Sequence, residues 1–286
     1  MATPAIARRE LPGSHGKRFI VLWLVLSAIV TPLVTIFLGR AIPPGNGSAE
    51  ATQQVFDNQW VLGVITPPTL LVLLFLVYAL ASFRSRSAEL VDGPPIRGDM
   101  RIQVTWMVIT TVSVLFLAGF GTYELIQSGS GGGQGPDPAF QPAGHAKAFR
   151  VQVIAQQWEF TYRYPSYGGV EVPHLVLPAN TLVRLDVTSL DAIHSFWAYQ
   201  LGVKADANLG VDNVAYVTTK GPLTFDIHCA ELCGLWHGYM FDTGHVVDSA
   251  TFTAWIKRQR SYFGPVLKYL PPYADSYLPD PARRAG

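Results

Sequence analysis

Residues 228–240 read His-Cys-Ala-Glu-Leu-Cys-Gly-Leu-Trp-His-Gly-Tyr-Met, and within them Cys229, Cys233, His237 and Met240 stand at a Cys-x3-Cys-x3-His-x2-Met spacing. Two thiolates, an imidazole and a thioether make a soft donor set. Such a set suits copper and does not suit magnesium or calcium, which take oxygen ligands. These are the only two cysteines among 286 residues, so the thiol chemistry of the chain is concentrated in one loop. A disulfide between them is one competing reading. It leaves the positions of His237 and Met240 without a purpose, and so short a loop gains little chain-entropy stabilisation. Zinc is the other, and Met240 counts against it, because zinc sites are built from Cys, His and carboxylate.

The loop lacks a second imidazole, and the preceding segment offers one. His194 sits in Asp-Ala-Ile-His-Ser-Phe-Trp (191–197), just after a strand-like run at 182–187. The other histidines fit less well. His228 would point away from Cys229 if the chain there is extended, since successive side chains alternate. His174 lies next to a proline, His245 lies beyond Met240, His145 falls in a Gly/Pro-rich stretch, and His15 is in the N-terminal tail.

The rest of the chain is 49% hydrophobic and 14% charged. Three long runs with almost no charge account for this, at 19–38, 60–83 and 104–123. Each is near the roughly 20 residues needed to cross a bilayer. Pro32, Pro67 and Pro68 are expected to kink or locally unwind these helices. Basic residues Arg8, Arg9, Lys17 and Arg18 precede the first run, and Arg84, Arg86, Arg97 and Arg101 fill the connection between the second and third. By the positive-inside rule the tail 1–18 and that connection are cytoplasmic, and everything after the third run is outside. The first run is longer than the apolar core of about 7–15 residues usual in a signal peptide, which favours a retained third helix.

A Gly-, Pro- and Ser-rich linker (128–147) follows the helical region 19–127. From residue 148 the pattern changes to short β-branched and aromatic runs separated by turn residues such as Gly168-Gly169 and Lys220-Gly221-Pro222. That rhythm predicts an antiparallel sandwich or barrel over 148–262. It ends in an amphipathic helix at 249–261, whose late basic residues Lys257, Arg258 and Arg260 suit the helix dipole. A Pro- and Tyr-rich tail occupies 263–286. No Cys-x-x-Cys-His occurs, so no c-type haem is attached to this chain.

The arrangement His194 … Cys229-x-Glu231-x-Cys233-x3-His237-x2-Met240 resembles the dinuclear copper A centre of subunit II of haem–copper cytochrome c oxidases, and the resemblance runs over about 60–247. It implies a membrane-anchored all-β protein, with two or three transmembrane helices followed by a cupredoxin-like domain. It implies two copper ions bridged by Cys229 and Cys233, with His194 and His237 capping one ion each. Met240 would be a weak ligand to one ion, and Glu231 would bind the other through its backbone carbonyl. The Glu231 side chain is then expected to help hold a magnesium ion at the interface with subunit I. The stretch Gln157-Trp158-Glu159-Phe160 is similar to the family's aromatic segment, which makes Trp158 the expected point of electron uptake.

The implied function is that of a cytochrome c oxidase subunit. It would accept electrons from cytochrome c, or from a membrane-tethered c-type cytochrome, and pass them to haem in subunit I for oxygen reduction coupled to proton translocation. The expected partners are subunit I and subunit III, with no nucleic acid. The expected location is a bacterial plasma membrane, multi-pass, with the copper domain on the outer face. Over 149–247 acids outnumber bases nine to five, which suits a cationic donor.

Two positions depart from the family pattern. Asn208-Leu209-Gly210-Val211 stands where an Ile-Pro-Gly-Arg is usual, and Gln103 stands where a Glu usually assists proton uptake. Both point to a divergent oxidase. A copper A-type nitric-oxide reductase of the same superfamily is the alternative, since the substrate is reduced in the partner subunit. A quinol oxidase subunit would lack the copper ligands. A copper-delivery protein would need neither Glu231 nor the tryptophan stretch.

Overall fold

A computed structural model describes residues 14–42, 45–83, 98–128 and 141–270. Arg8, Arg9, Arg84, Arg86, Arg97, most of the linker and the tail beyond residue 270 lie outside the described residues, as do the expectations that rest on them. The chain divides into two units, 1–42 with 57–110 and 43–56 with 111–286.

The apolar runs form helices. Helix α1 (His15–Leu33) continues through a π-helical turn (Val34–Leu38) into the short α2 (Gly39–Ala41), followed by α3 (Ala49–Ser82) and α4 (Met100–Ser128). Three spans, His15–Ala41, Ala49–Ser82 and Met100–Ile126, are long and apolar enough to cross a membrane. Their apolar side chains, such as Leu24, Phe75, Val77 and Leu115, are exposed, as a lipid-facing surface requires.

The three prolines behave differently from one another. Pro32 lacks an amide donor, and the widened turn Val34–Leu38 follows it directly. Pro67 and Pro68 sit inside α3, which stays α-helical from Ala49 to Ser82 with no unwound turn. The Trp23 indole donates to the Pro67 carbonyl at 2.9 Å, and the Thr66 and Thr69 hydroxyls donate back to the carbonyls of Leu62 and Ile65. These bonds go to neighbouring carbonyls and add to the helix ladder around the prolines, whose missing amides would have bonded the carbonyls of Gly63 and Val64.

The β-rich part contains two five-stranded sheets. One has the order β3-β2-β1-β5-β8, built from β1 (Phe149–Gln156), β2 (Glu159–Tyr164), β3 (Val170–Val172), β5 (Leu182–Ser189) and β8 (Asn213–Thr218). The other has the order β4-β10-β9-β6-β7, built from β4 (Val176–Pro178), β6 (His194–Ala198), β7 (Val203–Ala207), β9 (Leu223–Cys229) and β10 (Phe241–Val247). The sandwich is not wholly antiparallel, because β1 pairs with β5 and β4 with β10 in parallel. In each parallel pair the chain leaves and returns through other strands, the crossover that a parallel pair needs.

Between the sheets lie Val151, Val153, Tyr162, Leu185, Phe196, Phe225 and Ile227, all buried. Helix α5 (Ser249–Phe263) is capped by the Asp248 carboxylate, which accepts from the Thr251 amide at 2.9 Å. It buries Phe252 and Ile256, and Phe252 meets Phe149 edge-on at 5.4 Å.

The start of α3 belongs to the β-rich unit. Its polar residues 49–56 precede the apolar run, and they are helical because they grip the sandwich. The Gly47 amide donates to the Gln200 carbonyl and the Lys220 amide to the Gly47 carbonyl. Buried Ser48 donates to Leu201 O at 2.6 Å. The Glu50 carboxylate accepts from both the amide and the hydroxyl of Thr218, at 2.8 and 3.0 Å. Gly202, at φ +63°, lies against Ala51, where a Cβ would sit 2.8 Å from the Ala51 Cα.

Candidate metal centre

The loop 230–240 joins β9 to β10 and is pinned at both ends. The Cys229 amide donates to the Met240 carbonyl, and the Ala230 amide to the Ser195 carbonyl, at 3.0 and 2.9 Å. The β6–β9 register sets Phe196 opposite Cys229, so His194 at the head of β6 comes alongside the loop. A 3₁₀ turn (His237–Tyr239) then folds His237 and Met240 back onto Cys233.

The two thiols are free, and their sulfurs lie 3.7 Å apart. His194 Nδ1 is 3.8 Å from Cys229 Sγ, and His237 Nδ1 is 3.5 Å from Cys233 Sγ. Met240 Sδ is 3.8 Å from Cys233 Sγ, and the Glu231 carbonyl oxygen is 3.2 Å from Cys229 Sγ. His194, Cys229 and Cys233 alone put three candidate donors within 4.8 Å of one another. All six expected ligand residues therefore converge. Each sulfur has one imidazole beside it and one weak donor (a thioether or a carbonyl), which is a donor set that fits soft metal.

Burial pushes the Cys229 thiol up, but hydrogen bonds involving His194, the Ser195 and Glu231 backbone and His237 outweigh it and bring it down to about 6. Burial and the neighbouring Cys229 push Cys233 up to about 12. The pair titrates as a unit, in which the first proton leaves readily and the second is held. A dithiolate here needs positive charge beside it, and a metal ion supplies that.

Trp158 lies in the β1–β2 turn, and its indole Nε1 donates to the Cys233 carbonyl at 3.2 Å. The Gln157 amide side chain donates to the same carbonyl at 2.8 Å. Gly234, at φ +116°, makes this approach possible. A Cβ there would stand 3.0 Å from Gln157 Nε2 and 3.4 Å from the Trp158 ring. Around the loop Ile193, Leu232, Leu235, Trp236, Tyr239 and Phe241 are exposed, and so is the Glu231 side chain.

The remaining histidines are engaged elsewhere. His228 lies between the rings of Tyr199 and Phe241, while His174 pairs with Asp242 and His245 with Thr224. The sequence reading missed Gln157 and Asp191. Asp191 accepts from His194 Nε2 at 2.9 Å. Its place three residues before the histidine was the available signal.

A sandwich bearing a Cys/His/Met loop, in a chain that also has three helices apolar enough to cross a membrane, defines a cupredoxin-like protein whose donor set is consistent with copper. Residues 169–247 match the family description "Cytochrome C oxidase subunit II, periplasmic domain" and residues 42–123 match the corresponding "transmembrane domain", together more than half of the chain, so the protein belongs to the cytochrome c oxidase subunit II family. Among similar proteins, cytochrome c oxidase subunit 2 of Synechocystis sp. is 26% identical, covering 86% of this chain and 83% of its own. The Bacillus subtilis subunit 2 is also 26% identical, covering 84% of this chain and 68% of its own. Among solved structures, the periplasmic domain of subunit II of Bradyrhizobium japonicum cytochrome oxidase is 28% identical over 40% of this chain and 95% of that one, with a TM-score of 0.39.

Proposed function

We propose that this chain takes electrons from a cytochrome c, or from a membrane-tethered c-type cytochrome, and passes them to haem in subunit I of an oxygen-reducing, proton-translocating oxidase. The observation that carries this is the pair of free thiols 3.7 Å apart, each with an imidazole Nδ1 within 3.8 Å. Cys229 and Cys233 would bridge two copper ions, with His194 and His237 as terminal ligands and Met240 and the Glu231 carbonyl as weak ones. Bound there, the metal pair supplies one-electron chemistry with the charge spread over both ions.

The chain's own residues do the rest. The pinned ends of the loop hold the donors in one geometry, so gaining or losing an electron needs little rearrangement. Burial of His194, Cys229, Cys233 and Met240 keeps water off the donors. Trp158 offers a π-system joined by one hydrogen bond to the backbone of a ligand. The exposed apolar rim and the acidic excess of 149–247 suit a basic donor, with charge speeding the encounter. The Glu231 carboxylate, exposed and on the ligand loop, would give a magnesium ion at the subunit I interface the hard oxygen it requires. Subunit III completes the complex, which sits in a bacterial plasma membrane with the copper domain outside.

The test is copper loading of the purified full-length chain in detergent. Two coppers per chain and a mixed-valence spin signal shared between both ions are expected, and Cys229→Ser or Cys233→Ser should abolish that signal. One copper per chain, or zinc retained in its place, overturns the proposal.

A further inference from the structure

We propose that Asp191 is a positioning residue for the metal centre, holding the His194 ring with Nδ1 turned toward Cys229 and tying that ring to the turn that carries Trp158. Asp191 Oδ1 accepts from His194 Nε2 at 2.9 Å and from the Ala192 amide at 2.6 Å. Its other oxygen accepts from the Gln157 amide at 2.7 Å. The Gln157 side chain in turn reaches the Cys233 carbonyl at 2.8 Å. A closed circuit thus runs from His194 through Asp191 and Gln157 to Cys233, with the two sulfurs completing it.

A neutral imidazole has one donor and one acceptor nitrogen. With a carboxylate at Nε2 the proton belongs there, which leaves the Nδ1 lone pair free on the side of Cys229. The ring is fully buried, so no water competes for it, whereas Asp191 is about one-third exposed. His237 differs. It is only half-buried, and among the described residues no carboxylate bonds its ring. The two imidazoles are therefore unequal, and the inequality resides in one carboxylate. A carboxylate behind a ligand histidine raises its basicity and fixes its orientation. Greater basicity favours the more highly charged metal state, so the carboxylate lowers the reduction potential.

This inference rests on copper binding at His194, which the loading experiment checks separately in the unsubstituted chain. Asp191→Asn keeps the shape and removes the charge. Its full-length chain should still hold two coppers, with a raised midpoint potential and altered paramagnetically shifted resonances from one of the two histidines only. Asp191→Ala frees the ring as well and should weaken copper retention against a chelator about 10–100-fold. An unchanged potential in Asp191→Asn overturns the proposal, even if the variant binds its cytochrome donor more weakly. That outcome would mark Asp191 as a docking acid alone.

Discussion

The indole nitrogen of Trp158 donates a hydrogen bond to the carbonyl of Cys233, 3.2 Å away, so an aromatic ring on the β1–β2 turn is one bond from the backbone of a thiol ligand. The contact joins two segments far apart in sequence. It places the tryptophan beside the centre without making it a ligand, and that separation of roles can be tested.

Trp158→Phe keeps an aromatic ring but loses the bond to Cys233. The copper spectrum should persist while the rate of electron uptake from the donor falls, measured by stopped-flow reduction of the assembled complex. Loss of the copper signal in this variant would show that the residue holds the loop and does not conduct.

Glu231→Gln leaves the main chain unchanged, so the carbonyl near Cys229 remains. Both coppers should stay bound. The assembled complex should lose its interfacial divalent ion, by metal analysis, and transfer from copper to haem should slow. A complex that keeps its magnesium and its rate removes this residue from the interface role.

Gly234→Ala meets two obstacles, a positive φ of +116° and a Cβ 3.0 Å from Gln157 Nε2. The loop has to shift, so copper content and the mixed-valence signal should both drop, although no ligand has been altered. Wild-type copper loading in this variant would show that the loop adapts freely.

Tyr164→Phe removes a hydroxyl that donates to the Val176 carbonyl at 2.8 Å and accepts from the Val176 amide at 3.0 Å. This buried bond pair links the two sheets and leaves a polar amide unsatisfied when cut. The expected loss is about 1–3 kcal/mol of stability, seen as a lower Tm for the detergent-solubilised chain. An unchanged Tm would mean that the strand relaxes to find another partner.

The metal loop was the most legible part of the chain, because soft donors at fixed spacing have few other uses. Apolar length gave the three helices, but it placed the start of α3 at residue 60. Residues 49–59 are helical for a reason that hydrophobicity does not record, namely their side-chain bonds to Thr218 and Gly202. Strand β7, Val-Lys-Ala-Asp-Ala, leaves little trace in the sequence because its buried face holds only valine and alanines, too small to register as a hydrophobic run. Strand β6 is faint for a different cause. It opens on His194, whose ring is buried by its neighbours in the fold and not by any property of its own. The parallel pairings β1–β5 and β4–β10 depend on which strands meet after a crossover, and no local pattern encodes that.

The seam between residues 47–54 and the sandwich changes what counts as the copper domain. A soluble fragment begun just before β1 would contain every metal donor and still be incomplete. The Leu201 and Gly202 carbonyls would lose the groups that bond them, and the Thr218 amide would lose the Glu50 carboxylate. The segment ahead of the second apolar run thus finishes the soluble body, and a faithful excision would have to graft that piece back.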